Sequence, residues 1–268
     1  MTFFTVQRSG RTATADDLAP LAFAGHAHFT AMQVRDGRVR GLDLHLRRLR
    51  DASLELFGRA LPDERVRSYL RTALESGPAD VSLTATVYSA AGEFTAAEHT
   101  AKDLDVLVRT GPAAYAPTGP LTLATVEHER FLPGVKHVGE VAKTHLLRRA
   151  VRRGFDDTAF VDRRGRLSEA TIWNLAFADG DTVVWPQADV LGGVTMGVVR
   201  RQLDRLGVPQ RVRDVTLADL PRLTGAVVLN SWTPGVPVSR IDAVELPDSP
   251  SLASLLHDAY AAEPPAAP

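Results

Sequence analysis

No cysteine occurs among the 268 residues, and lysine occurs only at Lys102, Lys136 and Lys143. The absence of cysteine excludes disulfide bonds, thiolate nucleophiles, cysteine-ligated zinc and iron–sulfur clusters. The other 28 of the 31 basic residues are arginines, which stay protonated and cannot act as amine nucleophiles. Any Schiff-base chemistry therefore has three candidate side chains.

The sequence also lacks an excess of charge and a long apolar run. Its 31 basic and 32 acidic residues give a net charge of −1, so nothing attracts the whole chain to nucleic acid or to an acidic membrane. No stretch approaches the roughly 20 apolar residues of a membrane span, and the first residues do not form a signal peptide. We expect no nucleic-acid partner, no membrane association and a cytoplasmic location.

Local patterns predict a small α/β domain over residues 1–110. Asp36-Gly37, the dipeptide most typical of a tight hairpin, lies between extended segments at 29–34 and 38–44. Helical spacing of apolar residues follows over 43–58 and 62–76. Strands are predicted at 81–88 and 104–109.

A larger domain is predicted over residues 121–262, after a linker at 111–120 that is rich in proline, glycine and small residues. Its first helix, over 138–153, would bury a face that contains Val138, Val141 and Ala150. Further strands are predicted at 157–161, 167–177, 182–185 and 226–229, and further helices at 195–206 and 217–223. The composition of the last residues, 263–268, predicts a disordered tail.

Several kinds of catalytic site have little support in the sequence. No G-x-S-x-G elbow, Walker loop or G-x-G-x-x-G turn occurs. His26 and His28 are spaced to share one face of a strand, but no third ligand is suggested by spacing, so we expect no metal site.

The three lysines differ in their surroundings. Lys102 lies in a polar stretch typical of a solvated loop, and Lys143 follows Glu140 by three positions, as in an exposed helical ion pair. Lys136 lies in the apolar, rigid stretch LPGVKH at residues 132–137. Partial desolvation there would favour the neutral, nucleophilic amine, although most lysines are simply surface charges.

Other residues strengthen the interpretation of Lys136 as a nucleophile. The stretch Gly193-Val194-Thr195 opens a predicted helix, whose free N–H groups can bind phosphate. Arg48 could add a bidentate clamp, and Ser231 follows a predicted strand. Glu169 is a lone carboxylate in an apolar strand. An amine, a phosphate cradle and a buried carboxylate are what pyridoxal 5′-phosphate (PLP) requires.

The order and spacing of these motifs resemble the class IV, or fold-type IV, PLP-dependent enzymes over about residues 20–240. This family includes branched-chain and D-amino-acid aminotransferases, R-selective amine transaminases and aminodeoxychorismate lyase. The matching motifs are HLRRL (45–49), VK (135–136), GFDD (154–157), LSE (167–169) with Asn174, LGGVT (191–195) and the strand ending at Ser231.

The resemblance implies an α+β fold of two domains, a small α/β domain and a larger one with a pseudo-barrel, usually as a homodimer with the active site at the domain interface. Lys136 resembles the Schiff-base lysine, since it lies 18 residues before Gly154 and 33 before Glu169, whereas Lys143 fits neither interval. Glu169 resembles the carboxylate that pairs with the pyridine nitrogen. The residues that resemble the remaining cofactor ligands are Arg48, Val194, Thr195 and Ser231 for the phosphate and Leu191 for the ring face.

The chain departs from the family pattern mainly on the substrate side. Thr30 follows Phe29 where family members often have an acid, the strand ending at Ser89 has no arginine, and Met196 follows Thr195. These changes leave the cofactor ligands nearly intact, so no known substrate can be transferred. Phe29 and Trp232 are the predicted substrate residues.

The resemblance therefore predicts transamination of an amino acid or amine with a keto-acid acceptor through a Schiff base on Lys136. A lyase acting on an aminodeoxychorismate-like substrate would share every cofactor residue and is the first alternative. The second alternative is a non-catalytic dimeric binding protein on the same scaffold. It would predict loss of Lys136 or Glu169, and both are present.

Overall fold

The computed structural model describes residues 3–23, 25–75, 77–90 and 104–268. The chain divides into two compact units. The first unit comprises Met1–Ala114, Val135–Gly139 and Pro264–Pro268, and the second comprises Tyr115–Gly134 and Glu140–Glu263. The predicted ranges 1–110 and 121–262 therefore correspond only approximately to these units, because two short segments return to the first. Lys102 lies outside the described residues.

The described residues form sixteen strands and six α-helices. The strands are β1 (Thr5–Arg8), β2 (Arg11–Thr12), β3 (His28–Arg35), β4 (Arg38–Arg40), β5 (Val81–Ser89), β6 (Leu104–Pro112), β7 (Leu121–Glu127), β8 (Asp157–Val161), β9 (Leu167–Ala170), β10 (Asn174–Asp179), β11 (Thr182–Pro186), β12 (Gln210–Arg213), β13 (Gly225–Asn230), β14 (Thr233–Ile241), β15 (Val244–Glu245) and β16 (Pro265–Ala266). The helices are α1 (Ala15–Leu18), α2 (Leu42–Phe57), α3 (Asp63–Leu74), α4 (Val141–Arg152), α5 (Val194–Arg205) and α6 (Pro250–Ala261). Short 3-10 helices occur at Ala19–Phe23 and Leu220–Arg222.

The first unit is an antiparallel sheet in the order β16-β4-β3-β5-β6-β1-β2 with helices packed on it. Alternate residues of β5, such as Leu83 and Val87, share a core with Leu46 of α2 and Leu70 of α3. The apolar side chains on one face of the strand thus pack against the apolar faces of the two helices in one layer. Because β3 alternates in the same way, His28 and Thr30 are buried on it together with its apolar residues.

The predicted hairpin between β3 and β4 is confirmed. Asp36 and Gly37 both have positive φ, 51° and 69°, as a tight turn with two left-handed residues requires. The second strand ends at Arg40, earlier than predicted, because left-handed Gly41 precedes the start of α2 at Leu42. The helices predicted over 43–58, 62–76 and 195–206 are found as α2, α3 and α5, with shifts of one or two residues at their ends.

The second unit contains a closed barrel. Six strands follow one another by hydrogen bonding in the order β10-β13-β14-β7-β8-β9, and β9 pairs again with β10. Alternation divides the side chains of β10: Leu175 and Phe177 belong to one core, and Ala176 to another that it shares with Val199 of α5 and Leu256 of α6. This ring is the pseudo-barrel that the resemblance implies. No helix in the described ranges is long and apolar enough to cross a membrane.

The strand predicted over 167–177 is interrupted. It ends as β9 at Ala170 and resumes as β10 at Asn174, and the Ala170 N–H donates to the Trp173 carbonyl across the turn. The interruption lets the chain reverse, so β9 and β10 become antiparallel neighbours. It is this pairing that closes the barrel.

Helix α4 differs most from its prediction. It begins at Val141 rather than at residue 138, Val141 is 83 % exposed, and the buried side chains of the helix are those of Lys143 and Ala150. The predicted apolar face is therefore confirmed at Ala150 and wrong at Val138 and Val141, which are exposed. Lys143 turns inward because a buried carboxylate on β9 pairs with it, and the apolar spacing of the helix carries no sign of that partner.

The ends of the predicted linker and tail also differ from the structure. β6 continues to Pro112, because Pro112 remains in register with Val81 of β5. Residues 263–268 contain the strand β16, which pairs with β4, although their composition is typical of a disordered tail. Arg67 and Arg71 donate to the carbonyl oxygens of Ala267 and Pro268. Pairing across the whole length of the chain leaves no local signal in so short a segment.

Candidate functional site

The backbone of Lys136 is hydrogen-bonded to β3, the strand that carries the predicted site residue Phe29. The Phe29 N–H donates to the Lys136 carbonyl at 2.9 Å, and the Val138 N–H donates to the Ala27 carbonyl at the same distance. The Lys136 side chain is half-buried, and its Nζ lies 4.9 Å from the centroid of the Phe29 ring. This is the distance of a cation–π contact, so the predicted nucleophile and a predicted substrate residue are neighbours.

Arg48 belongs to a polar network between α2 and β3. Its Nη2 donates to the Thr30 hydroxyl, and Thr30 Oγ1 lies 2.6 Å from Nδ1 of His45. Burial, with the Arg48 charge as a smaller cause, holds the pKa of His45 well below its usual range. The imidazole is therefore neutral, and we assign its Nδ1 as the acceptor of the Thr30 proton. The bonds then run in one direction, from Arg48 through Thr30 to His45.

His28, one of the two histidines considered as metal ligands, is fully buried on the same face of β3. Its Nε2 lies 2.9 Å from the Ser53 hydroxyl of α2. Burial, with smaller contributions from Arg48 and His26, lowers the pKa of His28 to about 3. Among the described residues, no three histidine, aspartate or glutamate side chains come together as a metal site.

Glu169 lies on β9 with its side chain 5 % exposed. Its Oε1 accepts from Lys143 Nζ at 2.9 Å and from Arg130 Nη1 at 3.4 Å. Its Oε2 accepts from the Leu191 N–H at 3.3 Å. The lone carboxylate that the sequence singles out is thus buried and already has cationic partners, as such a group requires.

A second carboxylate, Glu140, completes this network. Arg130 Nη2 lies 2.5 Å from Glu140 Oε1, whereas Lys143 Nζ is 3.8 Å from the same oxygen. Lys143 therefore does pair with Glu140, as its position predicts, but it is buried and its shorter bond is to Glu169. Sequence reasoning missed Arg130 and the inward direction of Lys143.

Asn174 connects Glu169 with the start of α5. It is the register partner of Glu169 across β9 and β10, and its Nδ2 donates to the Leu191 carbonyl at 2.8 Å. A Cβ on Gly193 would lie 2.0 Å from Asn174 Oδ1, so the backbone approaches the amide as only glycine allows. Gly193 is the N-cap of α5, and Val194 and Thr195 open the helix.

The first turn of α5 has the character of an anion site. It carries no acidic side chain, its N-cap residue Gly193 has no side chain to offer, and Val194 and Thr195 are buried. Backbone N–H groups and the positive end of the helix dipole are available to an anion at such a terminus.

Ser231 and Trp232 form the turn between β13 and β14. The Trp232 N–H donates to Asn230 Oδ1 at 2.8 Å, which fixes the turn. Ser231 is half-buried, and Trp232 is 44 % exposed. The rings of Trp232 and Trp173 pack edge to face, with 5.9 Å between their centroids. The indole Nε1–H of Trp173 in turn donates to Oδ2 of buried Asp157 at 2.9 Å.

The predicted site residues are thus divided between the two units. The first unit carries Phe29, Arg48 and Lys136, and the second carries Glu169, Leu191, Val194, Thr195, Ser231 and Trp232. Within the second unit, hydrogen bonds and close packing directly link Glu169, Leu191 and the start of α5 through Asn174.

Comparison with known proteins shows a match to one family model and a fold shared with solved structures. A family model described as amino-transferase class IV matches residues 27–241. No match was found among curated protein sequences.

Solved structures share the fold at low sequence identity. A branched-chain aminotransferase of the thermophilic archaeon Thermoproteus uzoniensis, solved with norvaline, is 17 % identical, covers 97 % of this chain and 94 % of its own, and has a TM-score of 0.80. A putative 4-amino-4-deoxychorismate lyase of Legionella pneumophila is 16 % identical, with coverages of 91 % and 93 % and a TM-score of 0.79. An aminotransferase of Brucella abortus bound to PLP is 19 % identical, with coverages of 90 % and a TM-score of 0.79. The predicted fold class is confirmed.

Proposed function

Because the chain belongs to the class IV aminotransferase family, we propose that it binds PLP and transfers an amino group from an amino acid or amine to a keto acid. The family match confirms the resemblance drawn from the motifs. The observation that carries the proposal is the arrangement around Asn174, which connects a buried carboxylate, Glu169, with the helix start at Gly193.

The residues of the chain fit PLP chemically. The phosphate requires an anion site, and α5 offers an N-terminus without acidic side chains, whose N-cap Gly193 packs closely on Asn174. We assign phosphate binding to Arg48, Val194, Thr195 and Ser231. Arg48 is already oriented by Thr30, which makes it a preorganised donor.

The ring and the amine account for the remaining assignments. Glu169 would accept from the ring nitrogen, Leu191 would pack on the ring face, and Lys136 would hold the cofactor covalently. Phe29, which lies against the Lys136 amine, and Trp232, whose indole is partly exposed, would contact the substrate.

When bound, PLP supplies an electron sink for the carbanion of the substrate. The protein has to place a base and to keep the ring nitrogen paired. Nζ of Lys136, once released by the substrate, would take a proton from the substrate's α carbon and return it to the carbon that accepts it. The hydrogen bond from the Phe29 N–H of β3 to the Lys136 carbonyl limits where that amine can reach.

A lyase acting on an aminodeoxychorismate-like substrate is the second candidate function. It is favoured by the likeness to the Legionella pneumophila putative lyase and by the altered substrate side. The hydroxyl of Thr30, at a position where an acid is common in the family, is hydrogen-bonded to Arg48 and His45. Ser89 is buried at the end of β5. The non-catalytic alternative is disfavoured because Lys136 and Glu169 are both retained. We include a homodimer and a cytoplasmic location in the proposal.

The test is covalent trapping of the cofactor. Purified protein with PLP should absorb visible light, and borohydride should fix the cofactor to Lys136, as peptide mapping would show. Lys136→Ala should abolish both signals, whereas Lys102→Ala, the matched loss of another lysine, should keep them. A protein that stays colourless and takes up no PLP would refute the proposal. A panel of amino donors and keto acids, with pyruvate release followed separately, would then distinguish transaminase from lyase.

A further inference from the structure

We propose that Lys143 is a positioning residue that acts through Glu169: its ammonium group holds Oε1 of the carboxylate, which reserves Oε2 for the ring nitrogen of the cofactor. The inference rests on the proposed PLP function. It gives a role to a lysine that fits neither family interval and that its sequence position assigns to the protein surface.

The burial of Lys143 is the first observation. Its side chain is 8 % exposed, that of Glu169 is 5 % exposed and that of Arg130 is 3 % exposed. Lysine loses much side-chain freedom and most of its hydration when it is buried, so it is found there only with a partner. The two cations face two carboxylates, buried Glu169 and Glu140, whose side chain is 24 % exposed.

The distances show which carboxylate each of the two cations pairs with more closely. Lys143 Nζ lies 2.9 Å from Glu169 and 3.8 Å from Glu140, so its hydrogen bond is to Glu169. Arg130 has the opposite preference, at 2.5 Å from Glu140 and 3.4 Å from Glu169. Lys143 is therefore the main side-chain partner of Glu169, and Arg130 belongs chiefly to Glu140.

The two oxygens of Glu169 are used differently. Both cations lie on Oε1, and Oε2 accepts from the Leu191 N–H at 3.3 Å, a long bond. A carboxylate oxygen can accept more than one hydrogen bond. Oε2 thus keeps capacity for a further donor, while the bond to Lys143 fixes the plane of the carboxylate.

In this assignment Lys143 would lie near the ring nitrogen of the cofactor and not near the aldehyde carbon, so it could not act as the covalent lysine. In PLP the aldehyde carbon and the ring nitrogen lie at opposite positions of the pyridine ring. An amine that is hydrogen-bonded to the partner of the nitrogen cannot at the same time reach the aldehyde. The two lysines are assigned distinct tasks, Lys136 at the aldehyde and Lys143 behind Glu169.

The test is a double-mutant cycle on cofactor affinity. The full chain, freed of cofactor, is titrated with pyridoxamine 5′-phosphate, which has no aldehyde, so its Kd reports binding without the bond to Lys136. Lys143→Met and Glu169→Gln are compared singly and together. We expect Lys143→Met to weaken binding about tenfold, and to cause no further loss in the Glu169→Gln background, because contacting residues are non-additive.

Two further variants make the result decisive. Arg148→Met removes an exposed charge from the same helix and should leave the Kd within about twofold, as expected of a surface site. Lys143→Gln, whose amide is too short to reach Glu169, should repeat the loss and serves if the methionine variant does not fold. An unchanged Kd in the folded Lys143 variants, or a loss that simply adds to that of Glu169→Gln, would overturn the inference.

Failure of the inference and failure of the proposed function give different results. A wild-type protein that binds pyridoxamine 5′-phosphate and is trapped at Lys136, with Lys143 variants that bind equally well, overturns only the role of Lys143. A wild-type protein that binds neither form of the cofactor overturns both.

Discussion

Asn174 and Glu169 face each other across β9 and β10, and both bind the backbone of Leu191, Asn174 at its carbonyl and Glu169 at its N–H. Leu191 is therefore fixed by two barrel strands, although it lies in a loop. Gly193, two residues later, packs directly on Asn174 and begins α5. The barrel thereby sets the position of the helix start to which we assign the phosphate.

Substitution of Gly193 should separate the helix start from Asn174. In Gly193→Ala the new Cβ would lie 2.0 Å from Asn174 Oδ1, so either the amide or the helix must move. We expect cofactor binding to weaken by about tenfold or more and the free energy of unfolding to fall by about 1–3 kcal/mol. Pyridoxamine 5′-phosphate titration and urea unfolding measure the two effects.

The neighbouring glycine supplies the control for that experiment. A Cβ on Gly192 meets no atom within 4 Å, so Gly192→Ala should change neither quantity appreciably. Equal behaviour of the two alanine variants would show that the contact with Asn174 does not hold the helix in place.

Thr30 should affect the cofactor through Arg48. Thr30→Val keeps the shape of the side chain but removes the hydroxyl between Arg48 and His45, which leaves both without this partner. We expect the Kd of the cofactor to rise about tenfold, since a lost hydrogen bond to a charged group costs about 1.5–3 kcal/mol. Thr30→Ser keeps the hydroxyl and should bind nearly as the wild type. If inorganic phosphate competes equally well in both variants, Thr30 does not orient Arg48.

The buried histidines should make the protein less stable in acid. The pKa of His28 is lowered to about 3 from its ordinary 6.5, and that of His45 is lowered as well. The folded protein therefore takes up these protons at a lower pH than the unfolded chain does. The free energy of unfolding should therefore be highest above about pH 6.5 and should fall as the pH drops toward 3. Urea unfolding at several pH values measures the slope.

A variant can assign part of that slope to His28. His28→Gln removes the titrating ring and leaves a side chain able to bond Ser53, so stability should fall less steeply between about pH 6.5 and 4. His145→Gln is the matched control for the loss of an exposed imidazole. A slope that His28→Gln leaves unchanged would mean that other groups cause the acid sensitivity.

Trp232 should affect the substrate more than the cofactor. Its indole is partly exposed, and edge-to-face packing with the Trp173 ring positions it. Trp232→Ala should raise the KM for the amino donor about tenfold, as loss of an aromatic contact does, while the Kd for pyridoxamine 5′-phosphate stays within about twofold. Tyr115→Ala removes another exposed aromatic ring and is the control. A donor KM that does not change would remove Trp232 from the substrate residues.

The sequence predicts best those features that depend on neighbours in the chain. The turn at Asp36-Gly37 and the ends of α2, α3 and α5 follow from local backbone preference and apolar spacing. The burial of Lys143 does not, because it depends on Glu169, 26 residues later in another element. For the same reason the exposed face of α4 at Val141 does not follow from apolar spacing.

In the candidate site, too, the residues with a local signal are predicted and those that depend on distant partners are not. Glu169, Gly193 and Lys136 stand out because a lone carboxylate, a helix start and a lysine in an apolar turn are visible in the sequence. Arg130 is one of 28 arginines, and nothing nearby distinguishes it from a surface charge. The central position of Asn174 arises only when β9 and β10 pair, so a motif can include the residue without revealing what it holds together.

Lys136 is carried by five residues that belong to the first unit, while the chain on both sides of them belongs to the second. Splitting the gene after Ala114 would therefore give a fragment that contains Phe29 and Arg48 but has lost the lysine that lies against Phe29. The units could not be exchanged between relatives by a single crossover without parting that lysine from its strand. Recombination that preserves the pairing with β3 has to cut the chain on both sides of residues 135–139.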